Sequence, residues 1–157
     1  MTLPDWGCDS MLRTWAVRNF KSIAEMDALD LAPLTVLAGA NNTGKSSLLQ
    51  SILLIAQTLR NTRDVPALVV EGEFFRAEPR EILNHDKRSI GFVFELDFRL
   101  QSPAYEGLSS VLQLQAELRL GKAPDSGFEV AQTAISLLGQ QDELLSAIRV
   151  QRSGRTW

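Results

Sequence analysis

Histidine and cysteine are nearly absent. The 157 residues contain one cysteine, Cys8, and one histidine, His85. That excludes a disulfide framework within the chain and a Cys/His metal site, and it makes a reducing, cytoplasmic setting the default expectation. Positive charge is also in short supply. Sixteen Lys and Arg against 19 Asp and Glu leave a net charge of −3, so there is no global basic field, and binding a polyanion would need a local patch. No run approaches the roughly 20 continuous apolar residues of a membrane span, and no membrane partner is expected. The opening MTLPDWGCDSMLRTW lacks a basic region followed by an apolar core, so it is not expected to act as a signal peptide. Internal repeats and low-complexity segments are missing as well.

What is present suffices for a core. Apolar residues make up 45% and charged residues 22%, which fits one soluble domain, or one lobe of a larger one. Residues 1–11, with Pro4, Gly7, Asp9 and Ser10, are expected to form a loose arm, and a start at Met11 in place of Met1 is an open alternative. Leu12 to Phe20 alternates in part and predicts a strand, followed by a turn at Lys21-Ser22 and a short element over Asp27 to Leu31. Leu34 to Ala38, a β-prone run between Pro33 and Gly39, predicts a buried strand of the parallel kind. From Ser46 to Arg60 the period turns helical. Apolar side chains occur nearly all round, so burial on more than one side is expected. After Pro66 the period is two. Ala67–Glu71, Ser89–Leu100, Val111–Leu120 and Phe128–Leu138 predict strands of an antiparallel meander with one wet face, to which Gln113 and Gln115 belong.

One motif is highly specific. Gly39-Ala40-Asn41-Asn42-Thr43-Gly44-Lys45-Ser46 fits G-x-x-x-x-G-K-[ST]. A chance match costs roughly 4 in 100,000 per position at ordinary residue frequencies, and a β-prone run before it with a helix after it is the right setting. The chemistry explains the residue types. Glycines let backbone N–H groups wrap a multiply charged phosphate chain. The first amides of the following helix lack internal partners and point at the anion. Lys45 would contact the β- and γ-phosphates, and the Ser46 hydroxyl would be a Mg²⁺ ligand, which makes ATP and Mg²⁺ the expected ligands.

Three segments together, NFKSI at Asn19–Ile23, LAPLTVLAGANNTGKSSLLQ at Leu31–Gln50 and SILLIAQTL at Ser51–Leu59, resemble the amino-terminal part of AAA-type ATPases of the ABC superclass, the SMC/RecF/OLD-like group. The likeness covers about Trp15–Arg60. It implies a fold of the α/β (α+β) class: lobe I of an ABC-type P-loop NTPase head, with a mixed sheet around the P-loop helix and a following antiparallel meander. In such heads ATP is held by the P-loop of one subunit and sandwiched against a signature motif of a second, so a second lobe or a homodimer is the implied partner. The resemblance also places Ser47, and more weakly Lys21 and Ser22 of the NFKS turn, near the nucleotide. DNA as a partner, and roles in DNA maintenance or phage defence, rest on family analogy alone.

Several family parts cannot be found. The Asp142-Glu143 pair follows Gly139-Gln140-Gln141 and not an apolar strand, so it is a poor Walker B. Leu137 to Gln141 echoes a signature motif but is followed at once by those acids. His85 comes too early for a switch histidine and is expected to be structural or solvent-facing. Arg149, Arg152 and Arg155 repeat every third residue near a glycine, more as solvated charges than as a basic stripe. The domain reading is therefore an arm over 1–11 and a head lobe over 12–157, with a P-loop region at 31–60 and a β-rich region at 67–138, truncated before Walker B. Such a lobe should bind nucleotide without efficient hydrolysis and should expose apolar surface along the P-loop helix and strand. The rival reading is a non-catalytic interaction module with a vestigial or structural nucleotide site. A small kinase or GTPase fits less well, since the strands after Pro66 read as antiparallel and no guanine-specificity motif occurs.

Overall fold

The computed structural model describes residues 8–60, 68–100, 109–120, 128–138 and 144–151. Six strands and one helix follow in the order β1 (Cys8–Phe20), β2 (Ile23–Asp30), α1 (Lys45–Arg60), β3 (Ser89–Leu100), β4 (Ser109–Leu120), β5 (Phe128–Leu138) and β6 (Leu144–Gln151). They form one sheet in the order β2-β1-β3-β4-β5-β6. Every pairing is antiparallel.

The period-two segments form strands for the expected reason: one set of alternate side chains is apolar and finds a core. Trp15 of β1 pairs with Phe94 of β3, Phe94 with Leu114 of β4, Leu114 with Ile135 of β5, and Ile135 with Ile148 of β6. α1 packs on the Trp15 side of the sheet, where Leu48, Leu54 and Ile55 join Trp15, Val17, Phe20, Ile90, Phe92 and Phe94 in one cluster. The indole of Trp15 stacks on Phe94 at 5.2 Å between ring centres. It donates its N–H to Ser51 Oγ of α1 at 2.9 Å, and Ser51 in turn donates to Leu48 O at 2.7 Å. The apolar row outruns this cover: Phe94 is 3% exposed, Ile135 37% and Ile148 63%.

The opposite face is polar, as alternation requires. Arg18 crosses Gly91 to reach Glu117 at 3.1 Å, and a side chain on Gly91 would collide with that arginine. Gln113 donates to Glu95 at 2.9 Å and Gln115 is exposed, so both glutamines lie on the wet face.

The structure departs from the sequence reading in several places. No strand forms over Leu34–Ala38; Leu34 is 82% and Val36 77% exposed. A parallel strand needs a neighbour to take its backbone groups, and none is offered among the described residues. For the same reason the described sheet is wholly antiparallel with a single helix, and the mixed sheet around the P-loop helix is not seen. α1 is buried on one side only, with Leu49, Leu53 and Leu59 half exposed on the other. β1 begins at Cys8, so Cys8–Met11, read as part of the arm, pair with Asp97–Leu100. β2 starts at Ile23, four residues before the expected element. Within the expected strand at Ala67–Glu71, Ala67 lies outside the described residues and Glu71 makes only an isolated bridge to Arg76. β6 was not foreseen, and it carries Arg149 as an exposed side chain of an edge strand. Asp142-Glu143, Gly139–Gln141, Arg152 and Arg155 lie outside the described residues.

Candidate nucleotide site

The loop over 39–44 joins the Leu34–Ala38 segment to α1. Its backbone explains its glycines. Gly39 has φ +149° and Gly44 φ +85°, both in the region that residues with a Cβ rarely adopt. At Gly44 space alone would admit a methyl group, since the nearest atoms, Ile23 Cγ1 and Ser22 Oγ, lie at 3.5 and 3.6 Å from where it would sit. The dihedral is therefore what requires glycine. Asn42 takes φ +67°, a left-handed conformation that asparagine tolerates better than most residues.

The loop is closed by its own polar groups. Thr43 Oγ1 donates to Ala40 O at 2.9 Å. Lys45 Nζ donates to Gly39 O at 2.9 Å, to Thr43 Oγ1 at 3.2 Å and to Ala40 O. The ammonium is thus gathered over the loop by three oxygens. α1 starts at Lys45, and its ladder opens with Leu48 N to Gly44 O at 2.9 Å. The amides at the head of the helix, which follow the loop directly in the chain, have no intrahelical partner.

The two serines after Lys45 part ways. Ser46 is exposed, while Ser47 is buried and its hydroxyl lies 2.8 Å from Ser22 Oγ. The turn that carries Ser22 is rigidly held although it is strained. Asn19 and Lys21 have φ +57° and +47°, conformations that cost non-glycine residues energy. Lys21 N donates to Ile82 O at 2.9 Å and Asn84 N to Asn19 O at 3.0 Å. Asn84 Nδ2 donates to Lys21 O at 2.6 Å. Lys21 itself is directed to Gln50 Oε1 at 2.8 Å and lies 4.8 Å from the Phe75 ring centre. Burial pushes its pKa below the ordinary lysine value, partly countered by the nearby Glu81 carboxylate.

An open cleft of about 760 Å³ runs from the loop to β2. Its lining includes Gly39, Asn42, Thr43, Gly44 and Lys45 at one end, with Ser22 beside them. Lys21, Ala40, Asn41, Ser46 and Ser47 are outside that lining. Glu25 is its one carboxylate. Ser46 offers the hard oxygen that Mg²⁺ prefers, while no group of three or more His, Cys, Asp or Glu among the described residues could hold a metal ion without help.

Two supports of the site were invisible in the sequence. Asn84 locks the Lys21-Ser22 turn; the turn-forming Asn-His-Asp run was its only signal. The neighbouring His85 is exposed with φ +46°. The other support is Gln57, on the buried side of α1. Its Nε2 donates to Val69 O and Phe75 O at 2.8 and 3.1 Å. Its Oε1 accepts from Phe74 N and Phe75 N, both at 3.0 Å. A glutamine in an apolar helix gave no sign of this.

Comparison with known proteins decides the family. Residues 11–134, which contain the whole loop and most of the sheet, match the AAA ATPase domain. The chain belongs to the AAA ATPase domain family. Nucleotide binding and ATPase chemistry are the functions that go with this family, and ATP is its ligand. A 47-residue stretch, 30% of the chain, is 36% identical to an uncharacterized protein of Methanocaldococcus jannaschii, MJECL10. The match spans about a fifth of that protein, 22%. No helix among the described residues of this AAA ATPase domain is long and apolar enough to cross a membrane.

Proposed function

We propose that residues 39–46 cradle the phosphates of Mg²⁺-ATP, and that the chain is one lobe of an ABC-type head of the SMC/RecF/OLD-like kind. Lys45 serves the β- and γ-phosphates, the backbone of Gly39, Ala40, Asn41, Asn42, Thr43 and Gly44 wraps the anion, and Ser46 is the Mg²⁺ ligand from this chain. Ser47 positions Ser22, and Lys21 acts at one remove through Gln50. The observation that carries this reading is the ammonium of Lys45 held by Gly39 O, Ala40 O and Thr43 Oγ1. A cation is stationed over glycine-built backbone, beside unpartnered helix amides, where an incoming phosphate would exchange three weak oxygen contacts for full charges.

The second lobe belongs to the same proposal. Leu34, Val36, Leu49, Leu53 and Leu59 are exposed along the segment before the loop and the outer side of α1, the surface that a partner sheet would cover. On this reading the Walker B carboxylates and the signature motif come from that lobe or from a second subunit, and the chain by itself binds ATP without efficient turnover. A cytoplasmic setting follows from the same reading, and DNA-linked or phage-defence roles are analogy only.

The test is a titration of the protein and of Lys45→Ala with a fluorescent ATP analogue and Mg²⁺ while phosphate release is recorded. Saturable binding that needs Lys45, without turnover, is the expected result. Equal affinity in the two proteins would sink the assignment.

A further inference from the structure

The ammonium of Lys45 is fully spent on its own loop. A lysine offers three N–H donors and no acceptor. The loop meets them with three oxygens: Gly39 O at 2.9 Å, Thr43 Oγ1 at 3.2 Å and Ala40 O. Donors and acceptors match one for one. A phosphate that takes an N–H bond from Lys45 therefore takes it from one of these oxygens.

The three oxygens are not alike. Two belong to backbone carbonyls, which no substitution removes. The third is a hydroxyl, and at 3.2 Å its contact is a long one. A second bond fixes how that hydroxyl is turned. Thr43 Oγ1 donates its proton to Ala40 O at 2.9 Å, which leaves only lone pairs for Lys45. Donating in this way also polarises the oxygen and makes it a better acceptor. The branched Cβ of threonine keeps χ1 stiff, so the oxygen holds its place. Gly39 leaves room for it: a Cβ there would stand 3.4 Å from Thr43 Oγ1. Both Thr43 and Lys45 line the cleft, so the contact sits where the phosphates are assigned.

We infer that the Thr43 hydroxyl is a built-in competitor of the nucleotide, an autoinhibitory contact that ties Lys45 to the loop and is given up when a phosphate arrives. The inference rests on the phosphate-cradle reading above and adds a sign to it: a side chain of the loop weakens binding by the loop. A contact made in the free protein and lost in the complex lowers the share of molecules ready to bind, and the apparent affinity falls with that share. Removing the contact should tighten binding.

Calorimetric titration of the full chain, of Thr43→Val and of Thr43→Ser with Mg²⁺-ATP and with Mg²⁺-tripolyphosphate reads the sign. Valine keeps the branched shape without the hydroxyl, and serine keeps the hydroxyl. Thr43→Val is expected to bind both ligands about threefold more tightly than the wild type, the worth of one modest hydrogen bond. Thr43→Ser should match the wild type. In the free proteins, acetylation of Lys45 by acetic anhydride is followed by mass spectrometry against the exposed Lys87. It should run faster in Thr43→Val, because one tie on the amine is gone. Equal or weaker binding by Thr43→Val would overturn the inference and leave the phosphate cradle standing. Unchanged acetylation of Lys45 in Thr43→Val would overturn it too, as would tighter binding shared by Thr43→Ser. If the wild type and Thr43→Val bind neither ligand, the cradle fails and the competitor with it.

Discussion

Replacing Gln57 by leucine should cost about 3 kcal/mol of stability. Leucine nearly matches the volume and keeps the helix propensity of α1, so the change isolates the amide. That amide, 5% exposed, makes four hydrogen bonds to the backbone of the segment from Val69 to Phe75. Phe75 O keeps a second partner in Gly72 N, and Phe74, which is exposed, can turn its amide to water. Val69 O and Phe75 N, in buried residues, lose the partner that Gln57 gives them. Each orphaned buried group costs about 1–3 kcal/mol, and burying leucine returns a part. Phe75 packs on Phe20 at 6.3 Å and beneath Lys21, so the Lys21-Ser22 turn should loosen as well. Urea denaturation followed by circular dichroism measures the difference. A loss below about 1 kcal/mol, with the slope unchanged, would refute the role given to Gln57.

Two further outcomes are expected. Ser51→Ala leaves the buried indole N–H of Trp15 without its 2.9 Å acceptor and should cost about 2 kcal/mol in the same denaturation assay; a cost under about 0.5 kcal/mol would mean that the bond contributes nothing net. Lys21→Met tests the lysine whose pKa burial lowers. Between that lowered value and the ordinary value near 10.5 the unfolded chain binds more protons than the folded one, so lysine should gain stability relative to methionine as the pH rises through this window. Stability differences between the two proteins at pH 7 and pH 10 check the sign, and a difference that shrinks in lysine's favour nowhere would contradict it.

The sequence made the loop and the helix legible because glycine geometry and a 3.6 period are local properties. β3, β4 and β5 were legible because their alternation is strict and one face is wet. The Leu34–Ala38 run was misread because its β propensity is real but a strand is a property of two chains, and no partner lies beside it among the described residues. β2 was placed late because its apolar residues, Ile23, Met26 and Leu29, fall three apart and show no alternation. β6 escaped because Ser146 breaks its apolar row at the sheet edge, and because the three-residue spacing of Arg149, Arg152 and Arg155 masked the alternation from Ile148 to Gln151. At the candidate site, the eight-residue motif is legible from its spacing, whereas Asn84 and Gln57 act through long-range contacts that leave no periodic trace.

Amide hydrogen exchange with and without Mg²⁺-ATP puts the central assignment to the most direct test, because it reports where on the chain a nucleotide lands. The amides of residues 39–48 should slow on addition of nucleotide in the wild type and remain unchanged in Lys45→Ala. Unaltered exchange over 39–48 at saturating nucleotide, or equal protection in both proteins, would contradict the assignment of this loop as the phosphate cradle.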